Sequence, residues 1–240
     1  MKLTLILAVI SAVLFSPFSI AKSDQEKLQE INDMLAGNSE VIDSLHASLS
    51  TYLAQQNKFD QVLVDNHDYI YNNPDLPWFG AKKPKLTIAV LTDLSCPWCK
   101  KLDPVLHKIA EEYPNDVKVI NLYVPLKEHT NSTNSATFAL KVWRDEQDKF
   151  SDIEKMLMSK PGVHSLRSIM KVATANNVAE HVSTDKTSIE MVKKNYDLFV
   201  GLGIQGTPAM LIAGEIIPGY LPYEKLAPLV ASKLAGKNAK

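Results

Sequence analysis

From Leu28 the apolar positions advance by three and four residues: Leu28, Ile31, Leu35, Ile42, Leu45, Leu49 and Tyr52, with Asn38 alone breaking the row. Phe59 and Leu63 extend the same frame. Heptad spacing of this kind predicts helix buried along one seam. Gly37-Asn38 reads equally well as a helix stop followed by a new cap, with Glu40 close behind. Two arrangements fit: a pair of amphipathic helices packed on their own domain, or a helical region, residues 22–73, through which copies associate. The next stretch, "NNPDLPWFGAKKPK", is dense in Pro, Gly and Asn and predicts a linker over residues 74–84. "LTIAVLTDL" is a β-branched apolar run without helical period, hence a buried strand. "PWCKKLDPVLHKIAEEY" has Leu102, Val105, Leu106 and Ile109 on one helical side, and "DVKVINLYVPL" is a second strand. Helical periodicity then runs in pieces from about 134 to 201, with breaks at Lys160-Pro161-Gly162 and around Ser183. "PAMLIAG" and "EIIPGY" predict two short strands joined near Gly214, and "PYEKLAPLVASKLAG" an amphipathic closing helix. Strand, helix, strand, helical block, hairpin, helix is an α/β pattern with a helical insertion, in a domain over residues 85–240.

The first 21 residues read differently. Lys2 gives a basic start, residues 3–15 are apolar but short for a bilayer span, and Ser19, Ile20 and Ala21 supply small residues at cleavage spacing. This predicts a cleaved signal peptide over residues 1–21 and an exported, periplasmic product, in a compartment where disulfides persist. A net charge of −1 with mixed signs gives no reason to expect nucleic acid as a partner.

The chain has two cysteines, Cys96 and Cys99, separated by Pro97 and Trp98. Structural zinc wants four ligands. There is no second cysteine pair, and His46, His67, His107, His129, His164 and His181 show no ligand spacing, so no metal site is assigned. Haem attachment requires histidine directly after the second cysteine, where Lys100 stands. Two soft thiolates can bind Cu(I), which leaves a copper-binding or copper-protective protein as a reading from another class. A structural disulfide here would close a loop of two residues and constrain little. The pair lies where a buried strand meets a helix. Cys96 falls near the N-cap and Pro97 in the first turn, where its missing N–H costs nothing. Free backbone N–H groups and the helix dipole favour a negative sulfur at Cys96, and Lys100 adds positive charge one turn on. Cys99, deeper in the helix, is the expected resolving thiol. Asp93 is either an ordinary strand-end surface residue or a partly buried carboxylate that takes the Cys99 proton.

"CPWCKKLDP" and "GIQGTPAM", in this order, resemble the thioredoxin superfamily. The resemblance implies that Pro104 kinks the active-site helix and that Pro208, preceded by Thr207, is the cis-proline facing the cysteines. It also implies that Thr207 offers backbone groups to an extended substrate segment, which pairs as an added strand beside Cys96. The helical insertion is similar to the DsbA-like branch, and "LTDLSCPWC" is similar to exported members of the copper-sensitivity-suppressor and Com1-like type, which carry an N-terminal helical extension. The implied activity is protein thiol–disulfide exchange with no cofactor. Its implied partners are unfolded or misoxidised exported proteins, a membrane redox partner of the DsbB or DsbD type, and further copies of the chain. The Pro-Trp dipeptide differs from the Pro-His of DsbA and the Gly-Pro of thioredoxin. Trp98 lacks a histidine's polar donor but offers an apolar face to unfolded substrate. The superfamily spans roughly −270 to −120 mV, about 7 kcal/mol for two electrons, so the fold leaves the direction of electron flow open. Thr207 resembles the isomerase-type members, where DsbA usually has valine. The expectation is therefore an isomerase or reductase, with a DsbA-type dithiol oxidase as the alternative.

Overall fold

The computed structural model describes residues 22–128 and 132–236, so the expected signal peptide lies outside the described residues. The chain divides into two compact units, one ending at Leu53 and the other starting at Ala54. In the first, α1 spans Asp24–Ala36. Ser23 and Glu26 form a reciprocal capping box at its start, each satisfying a backbone N–H of the other. α1 stops at Gly37, and Asn38 serves both that stop and the next start: its side-chain amide donates to the Met34 carbonyl at 2.8 Å, and it is the N-cap of the 3-10 turn that follows, without a side-chain cap bond. A 3-10 turn at Ser39–Val41 leads into α2, Ile42–Asp65. No described residue of this unit is buried; Leu28, Ile31, Leu45, Leu49 and Tyr52 of the predicted row are all exposed.

The second unit starts earlier than the pattern predicted, because the end of α2 and all of α3, His67–Asn72, belong to its core. Ile70 is buried in the larger of the two cores, against which Phe59, Val62, Leu63, Tyr69 and Tyr71 pack. The predicted linker also differs: it carries β1, Trp78–Gly80, which pairs antiparallel with β3, Val117–Tyr123, and Leu76 and Ala81 beside it are buried. The three residues of β1 sit between Pro77 and Pro84, and that punctuation hides so short a strand. Gly80 is required at its end. Its φ is +90°, and a Cβ there would run into the Val117 carbonyl oxygen.

β2, Leu86–Thr92, lies at the centre of a five-stranded sheet of order β1-β3-β2-β4-β5. It pairs in parallel with β3, Val117–Tyr123, and antiparallel with β4, Ala209–Ile212; β5, Glu215–Pro218, closes the other edge. The alternation along β2 feeds two cores. Ile88 and Val90 pack with Leu102, Leu106 and Ile109 of α4, Pro97–Glu112, and with Leu226 and Val230 of the closing helix, Tyr223–Leu234. Ala89 and Leu91 face the insertion. Burial on both faces explains the unbroken apolar run. The insertion comprises α5 Ser135–Asp145, α6 Gln147–Ser159, α7 Leu166–Ala175 and α8 Lys186–Gly201; the closing helix is α9. The predicted breaks at 160–162 and 183 are present. Those at Glu146 and at 176–178 were masked by continuous periodicity.

Candidate active site

β2 ends at Thr92, and a tight turn closed by Cys96 N–H donating to the Asp93 carbonyl (2.9 Å) delivers Cys96 to the N-cap of α4. Pro97 occupies the first helical position. Cys96 thus sits at the tip of α4, with its sulfur beside the first backbone N–H groups of the helix. Both thiols are free. Cys96 is 7 % exposed and Cys99 1 %. Pro104 lies within α4, as the resemblance implied.

The two thiols are pushed in opposite directions. A hydrogen bond from the Cys99 thiol is the largest influence on Cys96; with the backbone N–H groups of Cys99 and Trp98 and a bond from Thr207 it overrides the opposing effect of burial and lowers the Cys96 pKa to about 5. Cys99 is pushed far up, first by burial and then by donating to Cys96, against smaller opposing bonds from Thr92 and the Asp93 N–H. One sulfur is therefore an anion near neutral pH and the other a buried thiol. Opposite them, the Thr207–Pro208 peptide is cis, and in its protonated form the Cys96 thiol donates to the Thr207 carbonyl at 3.3 Å. A groove of about 800 Å³ lies beside this loop, lined by Phe59, Ile204, Thr207, Pro208 and Ile216 among others. Trp98 is 52 % exposed, packs against Tyr220 at 5.9 Å between ring centroids, and carries the Lys101 ammonium 4.4 Å from its own.

Asp93 is 1 % exposed, which removes the surface reading. Its carboxylate accepts from Ser95 N–H (2.7 Å) and Leu126 N–H (3.1 Å), while its backbone N–H reaches the Cys99 sulfur at 3.4 Å. Burial, the largest influence, together with the charges of Glu128 and Cys96, raises the Asp93 pKa to about 6 against those two hydrogen bonds. Lys100 does more than supply charge: its ammonium donates to the carbonyls of Lys160 and Gly162 (3.0 Å for the latter), tying α4 to the α6–α7 loop. Burial depresses its pKa, and the charges of Asp93, Glu128 and Cys96 oppose that.

Ser95, Glu128, His164 and Tyr220 were not predicted. The first three come together from three separate segments: Ser95 donates to Glu128 (2.6 Å) and accepts from the His164 backbone N–H (2.9 Å). His164 bridges onward through Nε2 to the Leu157 carbonyl at 3.0 Å, and burial holds its ring below the usual histidine pKa. Glu146, Glu180 and His181 are the one group among the described residues whose ligand atoms lie close enough to share a metal ion. Glu146 is already paired with Lys149 at 3.0 Å, and none of these residues neighbours the cysteines in the chain.

A family model described as DSBA-like thioredoxin domain matches residues 87–231. A linker-deletion mutant of Proteus mirabilis ScsC is similar at TM-score 0.71 and 32% identity, over 91% of this chain and 99% of that one. Disulfide bond formation protein D of Bacillus subtilis is 23% identical over 189 residues, 71% of this chain and 84% of that protein. The thiol:disulfide interchange protein DsbC of Haemophilus influenzae is 25% identical over 144 residues, and the match spans about half (51%) of its length.

Proposed function

The chain belongs to the DSBA-like thioredoxin domain family and is a thiol–disulfide oxidoreductase of that type, and from that premise we propose that it rearranges or reduces disulfides in exported proteins of the periplasm. Cys96 is the attacking sulfur and Cys99 the resolving one. The observation that carries this reading is the opposed ionisation of two thiols at one helix tip, with Cys96 beside the cis Thr207–Pro208 peptide.

The Cys96 thiolate attacks one sulfur of a client disulfide. A Cys96–client bond forms, the client S–S bond breaks, and the second client sulfur leaves as a thiolate. That thiolate can attack another client disulfide, and the client thiolate freed in that exchange attacks the mixed disulfide and expels Cys96; the client is then rearranged with no net electron transfer. Alternatively Cys99 loses its proton and attacks the Cys96 sulfur. The Cys96–Cys99 disulfide forms, the client leaves as a thiolate reduced by two electrons, and a membrane reductant of the DsbD type regenerates the dithiol. Running in reverse with a DsbB-type partner, the same steps oxidise clients. Thr207 and Pro208, with the adjoining groove, hold the client segment, and the exposed Trp98 face meets its apolar side chains. Asp93 adds a pH-dependent charge beside Cys96.

Two observations favour rearrangement over oxidation. Thr207 precedes the cis-proline, as in the isomerase-type members. The unburied apolar row of α1 and early α2 suits self-association, and several Cys96 sites in one assembly would shield client thiols from an oxidase. The test compares refolding of a scrambled-disulfide protein with oxidation of a fully reduced one, using the full chain and a version lacking residues 22–53. Recovery of scrambled substrate that exceeds oxidation and falls on truncation is the expected result. Oxidation with no recovery of scrambled substrate would overturn the isomerase reading.

A further inference from the structure

The carboxylate of Glu128 stands at a junction that the exchange steps above do not use. It accepts from Ser95 Oγ at 2.6 Å, from Ser135 Oγ at 2.5 Å and from Ser135 N–H at 2.8 Å. Ser135 is the first residue of α5, so the anion also sits at a helix N-terminus, where the dipole favours it. Ser95 and Ser135 are both buried. Ser95 is the residue immediately before Cys96; its N–H binds the Asp93 carboxylate and its hydroxyl accepts from the His164 N–H. One serine thus joins two carboxylates and two insertion loops to the turn that presents the reactive sulfur.

We propose that Glu128 is a positioning residue for exchange at Cys96: through Ser95 it clamps the active-site turn to the start of α5, and its fixed negative charge biases the Cys96/Cys99 pair toward the disulfide, making the protein more reducing. The proposal rests on the thiol-exchange reading of Cys96. A bound anion next to the turn opposes ionisation of Asp93 and, with Asp93, of Cys96. The reduced form carries the Cys96 thiolate and the disulfide does not, so a neighbouring negative charge penalises the reduced form alone. The titratable groups of this cluster are Cys96 on the Asp93 turn, Cys99 and Lys100 on α4, Glu128 on the β3–α5 loop, and the His164 ring with Lys160 near the α6–α7 loop. Lys100 offsets part of the negative charge, but its ammonium is held on the Lys160 and Gly162 carbonyls. Burial is the largest cause of the raised Asp93 pKa, and the Glu128 charge adds to it.

The experiment equilibrates full-length protein with glutathione buffers and follows iodoacetamide alkylation of Cys96 against pH, for wild type, Glu128→Gln, Glu128→Asp and Ser95→Ala. Glu128→Gln removes the charge and should shift the equilibrium toward the dithiol on the order of tenfold, which is about 30 mV. It should also move the pH inflection belonging to Asp93 downward. Glu128→Asp keeps the charge and should restore a potential near wild type. Ser95→Ala frees the carboxylate from the turn and should shift the equilibrium the same way as Gln by a smaller factor; it serves as the readout if Gln does not fold. An unchanged potential in both Gln and Ala variants, or an Asp variant displaced as far as Gln, overturns the proposal and leaves Glu128 a helix cap. The potential is defined whether or not clients are processed. Failure of wild type to act on clients therefore counts against the earlier reading alone.

Discussion

Replacing Cys99 by alanine isolates the largest influence on the reactive sulfur. In the wild type the Cys96 pKa falls from 9.0 to about 5. About four units correspond to roughly 5 kcal/mol of preference for the thiolate, and solvent screening at the helix tip trims this to the order of 3–5 kcal/mol. The variant loses the bond from the Cys99 thiol but keeps the backbone N–H groups of residues 99 and 98 and the bond from Thr207. A hydrogen bond to a charged group is worth about 1.5–3 kcal/mol, so the pKa should rise by about one to two units. Alkylation of Cys96 followed against pH, checked by thiolate ultraviolet absorbance, reads this directly, because Cys96 is then the sole thiol. Two consequences have opposite signs. At and below the wild-type pKa of about 5 the variant should react more slowly than wild type. At pH 8, where both sulfurs are ionised, it should react roughly 3- to 10-fold faster, since intrinsic nucleophilicity rises with pKa with a coefficient of about 0.4–0.5. An inflection that does not move, or a wild-type inflection near the free-cysteine value of about 8.5, would refute the reasoning.

Glu154 is buried against Tyr123 and Asn121, and burial, followed by the charge of Asp103, raises its pKa to about 7. The folded state keeps this proton to higher pH than the unfolded chain, whose glutamate ionises near ~4.3, so stability falls as pH rises from about 4 to 7 and is flat beyond. Glu154→Gln should gain on the order of 2 kcal/mol at pH 8 and nothing at pH 4 in urea titrations; equal effects at both pH values would contradict the assignment. Gly80→Ala meets both a positive φ and the Val117 carbonyl, so a loss of roughly 3 kcal/mol or more is expected by the same titration, and a loss under ~1 kcal/mol would show that β1 can shift. Trp98→Ala should leave stability within about 0.5 kcal/mol, given its exposure, and act on the client KM more than on kcat; an unchanged KM would remove Trp98 from client binding.

The chemistry of the CPWC turn was legible because its information is local. The apolar run of β2, Pro97 at the first helical position and the step of Leu102, Leu106 and Ile109 place Cys96 at the N-cap of α4 and Cys99 within the helix. The second half of the site, Thr207-Pro208, was legible through the family resemblance; no spacing rule brings it to Cys96 across 111 residues. Glu128 and His164 left no such trace. They reach Ser95 from loops 33 and 69 residues away, and a lone glutamate or histidine in a loop has no periodicity to betray it. Lys100 shows the same limit from the other side: its position one turn past Cys96 predicted its charge, and only tertiary structure supplies the Lys160 and Gly162 carbonyls that hold it. In β1 the prolines and Gly80 that end the strand outweighed the two aromatic residues that form it. The row on α1 and α2 predicts a buried seam, but its residues are unburied here and the row is broken between the two helices; periodicity alone names no partner.

The most direct test of the account is a trapping measurement on the sulfur itself. Reduced Cys99→Ala and Cys96→Ser proteins are each mixed at neutral pH with a peptide carrying a single disulfide, and the products are mapped by mass spectrometry. The account predicts a rapid one-to-one mixed disulfide on Cys96 in the first variant and almost none on Cys99 in the second. Equal trapping on the two sulfurs, or faster trapping on Cys99, would contradict it.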